Sequence, residues 1–183
     1  MTPARKTLKS KLCLVGEKGV GKTSLIRQYV LHMFDDTYIT TVGTKISKKQ
    51  VIIYKPEIDT EVRVDMTIWD IMGEKGFREL LKEAYFFGAD GIMAVCDLSR
   101  KETLNDLDDW IDSVEKVVGK VPVMISVNKS DLIDEAQFSL KDVTQMAKAF
   151  DSDFMYTSAR TSEGVEHCFK HLGELMINNQ LDL

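Results

Sequence analysis

Residues 16–23 read Gly-Glu-Lys-Gly-Val-Gly-Lys-Thr, a G-x-x-x-x-G-K-[ST] run. It follows the apolar stretch Leu12–Val15 and precedes a helical pattern over Ser24–Met33. A buried strand that turns through glycines into a helix aims successive backbone N–H groups inward, where they cradle anionic oxygens at the helix N-terminus. The run therefore constrains local geometry and ligand class together: strand, loop, helix and phosphate. Lys22 is placed to reach β- and γ-phosphates and the Thr23 hydroxyl to bind Mg²⁺. Gly16, Glu17, Lys18, Gly19, Val20, Gly21 and Ser24 complete the expected phosphate-binding segment.

The rest of the chain fits that start. Leu12–Val15, Ile92–Cys96, Val121–Val127 and Phe154–Tyr156 are apolar runs with few charges, as expected of parallel strands covered on both faces. Val62, Val64, Met66 and Ile68 instead alternate with polar neighbours, and residues 47–55 are strand-like. With 56–60 as the turn, these predict an antiparallel hairpin near one sheet edge. Leu104, Leu107, Ile111, Val114 and Val118 mark one amphipathic helix face. Leu140, Val143, Ala147 and Phe150 mark a second, and Val165, Phe169, Leu172 and Met176 a third, with Ser162 as its candidate cap. Alternating strands and helices over 183 residues predict a single α/β domain with a mostly parallel sheet.

Two further motifs follow strands. Asp70 begins Asp-Ile-Met-Gly, where a carboxylate at a strand end can hold magnesium and Gly73 lets its N–H approach a γ-phosphate. Asn128-Lys129-Ser130-Asp131 follows the Val121–Val127 run. The Asp131 carboxylate can accept from the N1–H and 2-amino group of guanine, a donor pair that adenine lacks on that edge. Lys129 can lie over the base, and Asn128 can tie this loop to the phosphate loop. Thr157-Ser158-Ala159 follows the last strand, offering the Ala159 N–H to guanine O6, with Arg160 alongside.

Over residues 8–179 the chain resembles the Ras-superfamily small GTPases, nearest to the Rab and Ras branches. Gly16–Thr23, Thr41-Val42-Gly43, Trp69–Gly73, Asn128–Asp131 and Ser158-Ala159 carry the resemblance. It implies a P-loop NTPase small G domain: a six-stranded, mostly parallel sheet flanked by five helices, preceded by a basic arm over 1–7 and followed by a short tail over 180–183. It also implies GTP and GDP as ligands, Mg²⁺ held by Thr23, Thr41 and Asp70, and two switch segments, about 34–45 and 71–88. Effectors and regulatory proteins are expected to bind through these switches. By position, Phe34 packs edge-on to guanine, Tyr38 lies near the phosphates, and Thr41 engages the metal and γ-phosphate when GTP is bound. Lys22, Thr41, Gly73 and Glu74 form the expected catalytic set.

Two residues depart from the family pattern. Glu74 stands where a glutamine usually orients the attacking water, and Lys18 where the phosphate loop usually has a small residue. A carboxylate beside a γ-phosphate is electrostatically unfavourable, and pairing between Lys18 and Glu74 is the expected remedy. A fixed Lys18 cation could also stabilise charge developing in the transition state. Two readings stay open: a switch that hydrolyses GTP slowly, and a GTP-binding interaction module with negligible hydrolysis.

Composition narrows the partners. With 24 basic against 29 acidic residues the net charge is −5, which offers no general nucleic-acid footprint. No apolar run approaches the ~18 residues that span a bilayer, and no myristoylation or prenylation signal is present. Cys13 and Cys96 sit in apolar runs as core residues of a reducing compartment. A cytoplasmic monomer without a direct lipid anchor is the expectation.

Overall fold

The computed structural model describes residues 4–35, 41–74, 76 and 83–182. Six strands form one sheet in the order β2-β3-β1-β4-β5-β6. The strands are β1 (Ala4–Val15), β2 (Thr44–Lys55), β3 (Thr60–Ile71), β4 (Gly91–Asp97), β5 (Val123–Asn128) and β6 (Asp153–Tyr156). Only the edge strand β2 runs antiparallel, pairing with β3 from Thr44↔Ile71 to Lys55↔Thr60. Every other pairing is parallel. The expected hairpin is present and longer at both ends, closed by a 3-10 turn over Pro56–Ile58 and by Asp59 in the left-handed region.

Five α-helices whose two ends lie among the described residues cover the sheet: α1 (Lys22–Leu31), α2 (Lys101–Asn105), α3 (Leu107–Val118), α4 (Leu140–Ala149) and α5 (Val165–Leu181); residues 76 and 83–86 are helical as well. The period-two rule of strands sets the two layers. Leu12, Leu14, Val64, Met66 and Ile68 face α1 and α5, packing with Tyr29, Phe169, Leu172 and Met176. Cys13, Val15, Ile92 and Ala94 face the other way, against Leu104, Trp110, Ile111, Val114 and Val143. β4 and β5 are buried along their whole length, as their largely apolar sequences lead one to expect, and the burial takes in Asp97, Ser126 and Asn128.

Several sequence expectations need correction. The Leu104–Val118 pattern is two helices that meet at Asp106, which ends the first and begins the second. Leu140, expected on the buried face of α4, is 59% exposed at the first position of the helix. Ser162 does not cap α5; Gly164 is the N-cap, and no side chain contributes a capping bond there. Residues 4–7, expected as an arm, are the first part of β1 and pair with β3 from Ala4↔Thr60. No helix among the described residues is long and apolar enough to cross a membrane.

Candidate nucleotide site

The loops after β1, β3, β5 and β6 open at the C-terminal edge of the sheet, where ligands of parallel α/β folds bind. They enclose a cleft of about 310 Å³. Lys18, Gly19, Gly21, Lys22, Thr23, Ser24, Phe34, Thr41, Gly73, Asn128, Lys129, Asp131, Ala159 and Arg160 line it. The sequence motifs, separated by more than a hundred residues, thus share one cavity.

At the phosphate end, Lys22 is buried and donates from Nζ to the carbonyls of Gly16 (2.7 Å) and Glu17 (2.9 Å). Burial pulls its ammonium down to about 8, against the opposing carboxylates of Asp70 and Glu17. A phosphate reaching this ammonium would reverse that shift. Gly73 packs directly on the loop: a Cβ there would stand 2.5 Å from the Lys18 nitrogen and 2.6 Å from the Glu17 carbonyl carbon. Only glycine permits so close an approach.

Three oxygens converge beside Lys22. The Thr23 hydroxyl lies 3.0 Å from that of Thr41 and donates to Asp70 Oδ2 at 2.5 Å. The second carboxylate oxygen, Oδ1, is buried with no hydrogen-bond partner. Burial raises the Asp70 carboxyl above its ordinary value despite the Thr23 hydrogen bond and the Lys22 charge. A small hard cation with oxygen ligands fits this donor set.

At the base end, Asn128 is buried and donates from Nδ2 to the Val20 carbonyl at 2.8 Å. This is the expected tie between the two loops. A Cβ at Gly21, whose φ is +101°, would meet that same amide nitrogen at 2.3 Å. Ser158 donates from Oγ to Asp131 Oδ1 at 2.6 Å, fixing the carboxylate that faces the cleft. The Ala159 N–H, expected to face the ligand, points at Asn128 Oδ1 over a long 3.3 Å.

Other candidates lie differently. Gly16, Glu17, Val20 and Ser158 do not line the cleft. Glu17 turns its carboxylate to the indole N–H of Trp110 at 3.3 Å, while Val20 and Ser158 are wholly buried. Asp70 lines a smaller groove between α1 and β2. Glu74 also stays outside the cleft, yet its Oε1 lies 3.7 Å from Lys18 Nζ, both side chains half-exposed. Tyr38 falls outside the described residues. Sequence reasoning missed Arg27, which lines the cleft and pairs with Asp35 at 3.7 Å. It also missed Asp97, whose Oδ2 takes Lys129 Nζ at 2.6 Å. The signal available for Asp97 was a carboxylate ending the all-apolar run 92–96.

Comparison with known proteins adds an independent line. The family model described as Ras family matches residues 11–178. Ras-related protein Rab-8B of Homo sapiens is 33% identical over 160 residues, covering 87% of this chain and 74% of that protein. Ras-related protein Rab-8A of Mus musculus is 33% identical and that of Gallus gallus 32% identical, over the same shares.

Proposed function

The chain belongs to the Ras family of small GTPases, and from that premise we propose that it is a guanine-nucleotide switch that binds Mg²⁺-GTP and Mg²⁺-GDP and hydrolyses GTP slowly. The observation that carries this reading is one cleft lined by Lys22, Thr23, Thr41, Asn128 and Asp131, with Asp70 joined to it through the Thr23 hydroxyl. Lys22 and the inward N–H groups of the loop bind the β- and γ-phosphates. Thr23, Thr41 and Asp70 would hold Mg²⁺, which supplies charge neutralisation at the transferring phosphoryl group. Asp131, oriented by Ser158, selects guanine, and Phe34 closes the edge of the base site. Loss of the γ-phosphate withdraws the contact that holds Thr41, so the segment around it relaxes and partners are released.

A second reading, a GTP-binding module with negligible hydrolysis, draws support from the Lys18–Glu74 pair. Glu74 stands at the position of the water-orienting residue and spends its carboxylate on a lysine at the cleft wall. The pair is half-exposed, so it contributes only about 0–1 kcal/mol and can open. Single-turnover hydrolysis of Mg²⁺-GTP by the purified protein, with ATP as control, separates the readings. Phosphate release from GTP alone supports the slow switch, and retention without cleavage supports the module. Equal handling of ATP would remove Asp131 as base reader. Faster cleavage by Glu74→Gln or Lys18→Gly would show that the original side chain suppresses hydrolysis.

A further inference from the structure

Asp97, Ser99 and Arg100 do not line the cleft, yet they form a compact hydrogen-bonded group with Lys129, which does. Asp97, at the end of β4, has a side chain only 1% exposed. Its Oδ1 accepts from the Ser99 N–H (3.0 Å) and hydroxyl (2.7 Å). Its Oδ2 accepts from Arg100 Nε (3.1 Å) and Lys129 Nζ (2.6 Å). Burial pushes the carboxyl up, but the hydrogen bonds from Lys129 and Ser99 outweigh it and hold the group below the usual carboxylate range. Asp97 is therefore a fixed anion that grips the base-reading loop at Lys129.

Arg100 uses its other arm differently. Nη2 donates to the Lys18 carbonyl at 3.0 Å, across 82 residues of sequence. The residue itself is locked: its N–H donates to the Asp97 carbonyl at 2.9 Å, and its carbonyl accepts from Thr103 N–H (3.1 Å) and Oγ1 (2.7 Å). The Lys18–Gly19 peptide is trans, so its C=O and N–H point in opposite directions. Drawing the Lys18 carbonyl outward to Arg100 turns the Gly19 N–H inward, and Gly19 lines the cleft.

We propose that Arg100 is a positioning residue: its guanidinium, anchored on Asp97, clamps the Lys18 carbonyl and so aims the Gly19 N–H at a bound phosphate. Asp97 serves both ends of the site, because the carboxylate that anchors this clamp also anchors Lys129. The planar fork of arginine spans carboxylate and carbonyl together, which the single ammonium of lysine does not. The inference rests on the nucleotide-binding reading above and adds a determinant of how long nucleotide stays bound.

The test follows release of a fluorescent GDP from the full chain in Mg²⁺, beside thermal unfolding of the nucleotide-free protein. Wild type, Arg100→Ala, Arg100→Lys, Asp97→Asn and the Asp97→Asn/Arg100→Ala double variant are compared. Arg100→Ala is expected to speed release on the order of tenfold, the scale of one charge-assisted hydrogen bond. Its unfolding temperature should fall by no more than about 3 °C, since the side chain is partly exposed. Arg100→Lys should restore less than half of the lost retention, and the double variant should release no faster than Asp97→Asn. Release from Arg100→Ala within about twofold of wild type, full rescue by lysine, or multiplying effects in the double variant would each overturn the clamp. If Asp97→Asn does not fold, the alanine and lysine variants decide alone. Wild type that fails to bind GDP at all overturns the nucleotide reading itself, a result distinct from any behaviour of the Arg100 variants.

Discussion

Asn128 gives the sharpest test of how the site is built. Its side chain is buried, its Nδ2 donates to the Val20 carbonyl at 2.8 Å, and its Oδ1 receives Thr157 Oγ1 and Ala159 N–H, each at 3.3 Å. In Asn128→Ala the short bond is lost inside the protein, where removing one partner costs about 1–3 kcal/mol. The space left by the amide adds about 1 kcal/mol, and the two long bonds add little. A loss of about 2–4 kcal/mol is expected, or roughly 5–15 °C in unfolding temperature for a domain of this length. Asn128→Asp keeps the shape but faces the Val20 carbonyl with an acceptor and buries a charge, so it should be worse than alanine. Urea unfolding of the nucleotide-free protein measures both. Aspartate within about 1 kcal/mol of wild type would refute the argument, because an isostere that is tolerated means the 2.8 Å bond contributes nothing net.

Three further expectations rest on separate observations. Burial holds the Asp70 carboxyl above its ordinary value, so its ionised form destabilises the metal-free fold. That penalty is absent below the unfolded carboxylate value and fully present above the folded one. Asp70→Asn should therefore unfold at a higher temperature than wild type at pH 7 in EDTA, and should gain nothing from Mg²⁺; an Mg²⁺-dependent gain equal to that of wild type would sink the metal assignment. Burial pushes the Cys13 and Cys168 thiols up to about 12 and raises Cys96 as well, so a thiol reagent should label none of them in the native state and all three free cysteines after unfolding. Fast labelling of any native cysteine would contradict the buried placement. Gly73→Ala must displace the phosphate loop, since its Cβ would lie 2.5 Å from the Lys18 nitrogen; GTP affinity should fall more than GDP affinity, and an unchanged ratio would show that Gly73 does not face the terminal phosphate.

How much of this was legible in the sequence depended on whether a residue's role leaves a local pattern. The loop at 16–23 was legible because glycines at fixed offsets, a preceding apolar strand and a following helix all state the same geometry. The β2–β3 hairpin was legible through the period-two burial of Val62, Val64, Met66 and Ile68. The boundary between α2 and α3 was not, because Asp106 joins them with φ −81° and ψ −3°, close enough to helical to keep the phase of the apolar face: Leu104 and Leu107 are buried on either side of it. Ser162 misled because a serine before a helix often caps it, whereas here its backbone is left-handed at φ +69° and Gly164 makes the turn into α5. The pairings of Asp97 and Arg100 were not legible for another reason, although a carboxylate ending the apolar run 92–96 marked Asp97 itself. Their meaning lies in partners 32 and 82 residues away, and neither spacing nor periodicity records such a pair.

The two central charges of the site share a condition that links binding to folding. Burial lowers the Lys22 ammonium to about 8 and raises the Asp70 carboxyl, so each charge is disfavoured in place even though each partly offsets the other. Had the fold been shaped for stability alone, this pair would be weak justification for itself, because desolvating two ions commonly outweighs their attraction. An anion at Lys22 would favour its ammonium, and a cation at the buried, unpartnered Asp70 Oδ1 would favour its carboxylate. A phosphate chain with its magnesium supplies both at once, and neither supplies both alone. Nucleotide and metal should therefore stabilise the protein cooperatively: the gain in unfolding temperature from GDP with Mg²⁺ should exceed the sum of the gains from GDP in EDTA and from Mg²⁺ alone. Simple additivity would mean that the Lys22 and Asp70 penalties are relieved independently, and that the convergence of Thr23, Thr41 and Asp70 beside Lys22 does not act as one site.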